Sequence, residues 1–65
     1  MTSTCFTGVI SLMDADGDLF RVNAGSIQVI ARRSRYDSAA RANLNEGDTV
    51  TVRCDNGVNY IVSKT

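Results

Sequence analysis

The strict alternation of apolar and polar residues near the end of the chain constrains the fold most. The stretch "TVTVRC" places one set of side chains on a single side of an extended strand: Val50, Val52 and Cys54. A period of two predicts β-structure, since an amphipathic helix repeats every 3.6 residues. The "DNG" that follows favours a two-residue type I′ turn, and "VNYIV" then places a second set on one face: Val58, Tyr60 and Val62. We therefore predict a C-terminal β-hairpin.

Three further apolar stretches predict an N-terminal hairpin and a third strand. "CFTGVISLM" and "LFRV" flank an Asp-Gly turn, and Gly8 within the first of them predicts a bend or a bulge. In "SIQVIARRS", alternate residues Ile27, Val29 and Ala31 are in phase. Ile30 is out of phase, so we expect this strand to be partly buried on both sides or to end in a bulge.

The connection over residues 35–47 is long for a compact domain. Within it, "DSAARA" has helix-forming residues after an Asp or Ser cap, which predicts one or two helical turns. Five short strands otherwise fill the chain. We therefore predict an all-β fold over residues 1–65 as a single domain. Its form is a small five-stranded, strongly bent sheet or barrel, SH3-like or OB-like, with at most one short helical turn.

Length and composition limit the classes of protein to consider. A chain of 65 residues buries only about 60% of the surface that its unfolded form exposes. Its hydrophobic content of 43% is too high for a disordered chain. No apolar run approaches the length of a membrane-spanning helix, and the first residues lack the pattern of a signal peptide. We therefore expect a cytoplasmic protein that does not contact membranes.

Three aspartates alternate along "MDADGDLF", which raises the question of a calcium loop: Asp14, Asp16 and Asp18. An EF-hand loop needs glycine at position 6 and a bidentate glutamate at position 12. Position 6 is instead Leu19, and position 12 is Gly25. We interpret the stretch as a hairpin turn, with a weak cation site as the alternative.

The residue types present argue against catalysis. The chain has no histidine, and its two cysteines, Cys5 and Cys54, have no activating base nearby in the sequence. We interpret both as small apolar residues that are buried, with exposure to solvent as the alternative for Cys5, which lies near a terminus. The five glycines are scattered and form no phosphate loop. We therefore predict a protein that is not an enzyme and has no cofactor and no metal site, apart from the weak cation site that is the alternative at the aspartate turn.

Two stretches together resemble the small flagellar proteins of the FlbD/SwrD kind. The first, "LFRVNAGSIQVI", supplies five of the matching positions: Phe20, Val22, Asn23, Ile27 and Ile30. The second, "DTVTVRCDNGVNYIV", resembles the family's Asp-Thr strand, Asn-Gly turn and tyrosine-containing last strand. The chain departs from the family in its extra N-terminal strand and in the arginine-rich "RRSRYDSAARANLN". The resemblance implies a small β fold without enzymatic activity.

The basic run "ARRSRY" is the main indication of a functional surface. Net charge is zero, but residues 21–41 hold five arginines and one aspartate. Arginine suits forked contacts with carboxylates and phosphates. We predict a partner-binding surface made of five residues: Arg32, Arg33, Arg35, Tyr36 and Arg41. The remaining aromatic residues are assigned to the core: Phe6, Phe20 and Tyr60.

Several partners fit such a surface. An acidic protein partner is the first, which would make the chain an inhibitor or adaptor of the kind that phages and mobile elements encode. Single-stranded nucleic acid is the second, with arginine on phosphates and tyrosine under a base. A second copy of the chain is the third. A solvated strand end that merely prevents aggregation is the functionless alternative.

Overall fold

A computed structural model describes residues 4–65 of the chain. It contains five strands and one 3-10 turn: β1 (Thr4–Met13), β2 (Leu19–Ala24), β3 (Ile27–Arg33), the 3-10 turn (Ser38–Ala40), β4 (Thr49–Asp55) and β5 (Val58–Lys64). The strands close into a small barrel. The prediction of an all-β fold with one short helical turn is confirmed.

The order of strands around the barrel is β1-β2-β3-β5-β4, and β4 returns to β1. The pairs are antiparallel except β3 with β5, where Ala31–Arg33 lies parallel to Asn59–Ile61. A barrel closed by one parallel pair between its third and fifth strands has OB-like connectivity, so the OB-like form of the prediction is the one observed.

Strand β1 bends so that it can pair with two neighbours. Its first half pairs with β4 as far as Val9, and its second half pairs with β2 from Val9 onward. Gly8 lies at this corner, as the bend prediction requires. The bulge itself lies a little further on, between Ile10 and Leu12, where the register with β2 shifts. Sharp corners of this kind let a short chain close a barrel without exposed edges.

The barrel interior is filled by nine buried apolar side chains: Ile10, Phe20, Val22, Ala31, Ala39, Leu44, Val50, Val52 and Ile61. Phe6 packs against this cluster from a half-buried position, and Phe20 is within it, so both belong to the core as predicted. Ala39 and Leu44 come from the connection between β3 and β4. That connection therefore contributes to the core.

Three expectations about burial are wrong. Tyr60 is only half-buried and faces outward, because its neighbour Ile61 is the β5 residue that enters the core. Ile30 is 56% exposed, and β3 pairs with β2 without a bulge, so this strand is not buried on both sides. Cys54 is only half-buried, and Cys5 is exposed, which is the alternative stated for it.

The C-terminal hairpin is confirmed. Asn56 and Gly57 connect β4 to β5 with φ angles of 54° and 78°. A type I′ turn requires positive φ at both central residues, which asparagine and glycine tolerate. Val50 and Val52 are buried, in agreement with the alternation in "TVTVRC".

The predicted helical segment forms a single 3-10 turn. Asp37 precedes it at the N-cap position, but its side chain makes no capping hydrogen bond. The carboxylate instead accepts a hydrogen bond from the Ser34 hydroxyl at 2.5 Å and pairs with Arg53. The capping prediction is therefore right about position and wrong about the interaction.

Replacing Gly8 with alanine should destabilise the barrel. A Cβ at this position would lie 2.5 Å from Val22 Cγ1 and 2.8 Å from the backbone oxygen of Asn23. Overpacking of this kind costs about 1–3 kcal/mol. We expect a correspondingly lower urea midpoint for Gly8→Ala, with the exposed Thr7→Ala as control; equal midpoints for the two variants would contradict a tight corner.

The end of β5 is held by a carboxylate in the turn before β4. Asp48 Oδ2 accepts a hydrogen bond from the Asn45 N–H at 2.7 Å and lies 3.2 Å from Lys64 Nζ. Lys64 also donates to the backbone oxygen of Asn43 at 2.9 Å. The backbone hydrogen bond first, and Lys64 second, lower the pKa of Asp48 below its usual value.

This lowered pKa predicts a pH-dependent contribution to stability. A carboxyl group with a lower pKa in the folded state stabilises the fold above its unfolded pKa of about 3.9 and loses that effect as the pH falls through the folded pKa. We expect Asp48→Asn to melt below wild type at pH 7, with the gap closing as the pH falls below about 4. Thermal melts from pH 7 to pH 2 measure this, with exposed Glu46→Gln as control. A gap that is constant with pH would refute the assignment.

Candidate binding surface

One row of outward-facing residues runs around the barrel across its strands. Leu19 on β2 is opposite Arg32 on β3, and Arg32 is opposite Tyr60 on β5. Tyr60 is in turn opposite Arg53 on β4, which is opposite Cys5 on β1. Directly opposed residues project from the same face of a sheet. Tyr60 therefore lies between two arginines. We call these four residues the arginine–tyrosine row: Leu19, Arg32, Tyr60 and Arg53.

The arginine–tyrosine row lies along one side of an open cleft of about 600 Å³. The β1–β2 loop forms another side, and the end of β3 and the β4–β5 hairpin complete it. Four aspartates line the cleft together with the arginines: Asp14, Asp16, Asp18 and Asp55. A pocket of this volume is within the usual range for ligand sites. Three of the aspartates come from the β1–β2 loop, whereas Asp55 lies on β4 close to Arg53, so acidic and basic groups both border the cleft.

Not every arginine of the cleft has a charge partner. Among residues 4–65, the two ion pairs formed are Arg53 with Asp37, at 3.4 Å, and Lys64 with Asp48. Arg32 and Arg35 belong to neither pair, and both are exposed. Their guanidinium groups are therefore available to an anionic group from outside the chain.

Arg33 is engaged in the fold. Its guanidinium Nη1 donates hydrogen bonds to the backbone oxygens of Ala39, at 2.9 Å, and Ala42, at 2.6 Å. Its Nε donates to the Gly17 oxygen at 3.4 Å, and the group stacks over the Phe20 ring at 5.6 Å from the centroid. One side chain therefore joins β3 to the β1–β2 loop and to the 3-10 turn. Its donors are directed to backbone carbonyls.

A small polar network orients the other arginine of the row. Ser34 is 2% exposed, and its hydroxyl donates to Asp37 while accepting a hydrogen bond from the Tyr36 N–H at 3.3 Å. Asp37 then pairs with Arg53. The Arg53 Nε is buried without a hydrogen-bond partner among the described residues. Ser34 and Asp37 thereby fix the direction of the Arg53 guanidinium and of the backbone that leads to Tyr36.

The structure brings four of the five predicted surface residues to the cleft: Arg32, Arg33, Arg35 and Tyr36. Tyr36 is 94% exposed, so its ring is open to a partner. Arg41 follows the 3-10 turn and is not among the residues that line the cleft. The predicted residues thus include two exposed arginines, a structural arginine, an exposed tyrosine and one arginine placed elsewhere.

Two important residues of the row escaped the sequence analysis. Arg53 and Tyr60 are distant from the basic run in sequence and reach Arg32 only through the parallel pairing of β3 with β5. The alternation in "TVTVRC" does place Arg53 on the outward face, which is a usable signal. Nothing local in the sequence sets the register between β3 and β5.

The aspartate-rich stretch forms a turn, as predicted. The Gly17 N–H donates to the Asp14 backbone oxygen at 3.0 Å, and Gly17 has a φ of 73°. The Asp14 N–H donates to the Leu19 oxygen at 2.8 Å, which closes the β1–β2 hairpin. Within residues 4–65, no three side chains among His, Cys, Asp and Glu are grouped so that they could hold a metal ion.

Comparisons with protein-family models, curated proteins and solved structures give no match to this chain. The resemblance to the FlbD/SwrD proteins therefore stays a prediction. In the part of the chain that the structure describes, no helix has the length and apolar character needed to cross a membrane.

The contrast between Arg33 and Arg35 predicts different effects of the same substitution. Arg33→Met would leave the oxygens of Ala39 and Ala42 without their donor, whereas Arg35→Met removes an exposed charge. Loss of hydrogen bonds to a charged group costs about 2 kcal/mol. We expect Arg33→Met to lower the free energy of unfolding by that amount in urea titrations, and Arg35→Met to change it by less than about 0.5 kcal/mol. Similar effects of the two variants would contradict a structural role for Arg33.

Proposed function

We propose that this chain is a non-catalytic binding module that engages an acidic protein partner through the cleft and its arginine–tyrosine row. The observation that supports this most is the pair of exposed arginines, Arg32 and Arg35, which have no ion-pair partner among residues 4–65 and border one cleft with two tyrosines. A guanidinium group binds a carboxylate through two parallel hydrogen bonds. Tyrosine and arginine are also the residues enriched at protein interfaces.

The spacing of the row suits an extended set of acidic groups. Arg32 and Arg53 lie on strands separated by β5, so their backbones are at most about 9.6 Å apart, which is twice the usual distance between strands, and their side chains diverge on the convex outer face of the barrel. Tyr60 fills the position between them. Two carboxylates of a partner can therefore each meet a separate arginine while an apolar group of the partner covers the tyrosine ring.

The charge distribution of the cleft favours a protein over a nucleic acid. Four aspartates line the cleft beside the arginines, and the chain as a whole has no net charge. A phosphate backbone would carry negative charge past both sides of the cleft, whereas a protein segment can place acidic groups on one side and neutral or basic groups on the other. Nucleic-acid-binding domains usually have an excess of positive charge.

Single-stranded nucleic acid is the second candidate, supported by a separate observation. Tyr36 is 94% exposed beside Arg35, and Tyr60 stands between two arginines. Bases stack on such exposed rings while arginines contact the phosphates. This candidate predicts a steep salt dependence of RNA binding, because neutralising about four phosphates of a single strand costs about fiftyfold in affinity between 50 and 200 mM salt.

The wider role within this proposal is that of an inhibitor or adaptor of the kind that phages and mobile elements encode, acting in the cytoplasm. Small size and the lack of catalytic groups support this part. A homo-oligomer is the third candidate, and light scattering at two protein concentrations distinguishes it from a monomer.

Charge reversal at the cleft tests the proposal. We expect Arg32→Glu to weaken binding of a fluorescein-labelled, glutamate-rich peptide by at least about tenfold, because it replaces an attraction with a repulsion of several kcal/mol. Arg41→Glu is the matched control, since it makes the same change away from the cleft, and it should alter the affinity by less than about twofold. Fluorescence anisotropy measures both, and thermal melting checks that both variants fold.

A labelled single-stranded RNA of twelve nucleotides serves as the competing probe. Binding of the RNA that falls steeply with salt and is lost in Arg32→Glu, with no binding of the peptide, would replace the protein partner by the second candidate. Equal effects of Arg32→Glu and Arg41→Glu on the peptide would refute a role for the cleft.

A further inference from the structure

A second outward-facing row lies beside the arginine–tyrosine row and is mostly apolar. Leu12 on β1 is opposite Arg21 on β2, and Arg21 is opposite Ile30 on β3. Leu12 is 49% exposed and Ile30 is 56% exposed. Leu19, 40% exposed, lies two residues from Arg21 on the same face of β2. We call these four residues, Leu12, Leu19, Arg21 and Ile30, the apolar shelf.

The exposed apolar side chains of the shelf are separate from the core. The inward positions of the same three strands are already filled by buried side chains, among them Ile10, Phe20 and Ala31. Leu12 is turned outward because the bulge between Ile10 and Leu12 changes the alternation of β1. A solvated face of an antiparallel sheet normally alternates to polar residues. Exposed apolar groups collected on one face mark an interaction site.

We propose that the apolar shelf receives an amphipathic helix of the acidic partner, with an acidic side chain over Arg21 and apolar side chains on either side of it. This inference rests on the proposed function and adds the form of the partner. The argument is charge complementarity, because Arg21 lies at the centre of the shelf and the adjoining Arg32 is also basic, whereas Asp14 lies at the margin of the same hollow, next to Leu12 and Leu19.

The distances match the repeat of a helix that crosses the strands. Leu12 and Ile30 lie on strands separated by β2, so their backbones are at most about 9.6 Å apart, and their side chains diverge on the convex outer face of the barrel. Helical residues at i and i+7 lie on one face about 10.5 Å apart, with i+3 and i+4 between them. An apolar–acidic–apolar pattern at i, i+4 and i+7 therefore meets the apolar–basic–apolar order of the shelf.

The shelf and the cleft form one continuous surface. Leu19 belongs to both, since it lines the cleft and is opposite Arg32. A helix crossing the shelf can thus continue toward Arg32 with further acidic residues.

Other occupants fit the shelf less well. Two copies of the chain placed shelf to shelf would bring Arg21 against Arg21, and like charges across an interface cost several kcal/mol. RNA would leave the aliphatic side chains without an apolar partner, and the shelf has no aromatic ring for a base to stack on.

A pair of synthetic peptides tests the proposal. The first is a capped helical 14-mer with leucine at i and i+7 and glutamate at i+3 and i+4. The second has the same composition, but its leucines are moved to opposite faces of the helix. We expect the first peptide to bind at least tenfold more tightly than the second. We also expect Ile30→Thr to weaken the first peptide by about tenfold, since it removes apolar area from the contact.

Ile27→Thr is the matched control. It makes the same substitution on the same strand at a residue that is 63% exposed and outside the shelf, so it should change the affinity by less than twofold. Both isoleucines are exposed, so both variants should fold, and circular dichroism melts check this.

The possible results distinguish failure of the shelf inference from failure of the proposed function. If both peptides bind equally and Ile30→Thr has no effect while Arg32→Glu abolishes binding, the shelf inference is overturned and the acidic-partner proposal stands. If neither peptide binds and Arg32→Glu affects no acidic probe, both are overturned. A dimer that Ile30→Thr dissolves would make a second copy the occupant and would also overturn the inference.

Discussion

The parallel pairing between β3 and β5 is the constraint on which the rest of the molecule depends. It joins only Ala31–Arg33 to Asn59–Ile61, yet it closes the barrel and brings Arg32 beside Tyr60. Arg33 secures this short seam, because its guanidinium holds the β1–β2 loop and the 3-10 turn through backbone oxygens. The cleft between these segments therefore has sides that are fixed by the fold.

The division of each strand into two faces separates the core from the surface that we propose for binding. Inward positions supply a core that is small, as expected for 65 residues, and the connection after β3 adds Ala39 and Leu44 to it. Outward positions are then free to carry side chains that the fold does not need. Arginine, tyrosine and aliphatic residues occupy those positions on β2, β3 and β5. This distribution is the physical basis for assigning binding to the outer face.

The sequence was sufficient where local chemistry decides the structure. Asn56 and Gly57 require a type I′ turn, and the alternation around Val50 and Val52 requires a strand. The sequence alone was insufficient where the pairing of distant strands determines which residues face the core. Tyr60 and Ile61 are adjacent apolar residues, and only the pairing of β5 with its neighbours selects Ile61 for the core. In the sequence, Arg33 cannot be told from the other arginines of the basic run. Its position at the end of β3 brings its guanidinium to the backbone oxygens of the β1–β2 loop and of the connection after β3.

Mapping of backbone amide shifts tests the central claim, that the outer face around Tyr60 is the binding surface. The ¹⁵N-labelled chain would be titrated with a glutamate-rich peptide at low salt. If this face binds the peptide, the largest shifts fall on Leu19, Arg32, Arg53 and Tyr60, and the Arg41 amide does not shift. Shifts centred on Arg41, or spread evenly over the barrel, would contradict it.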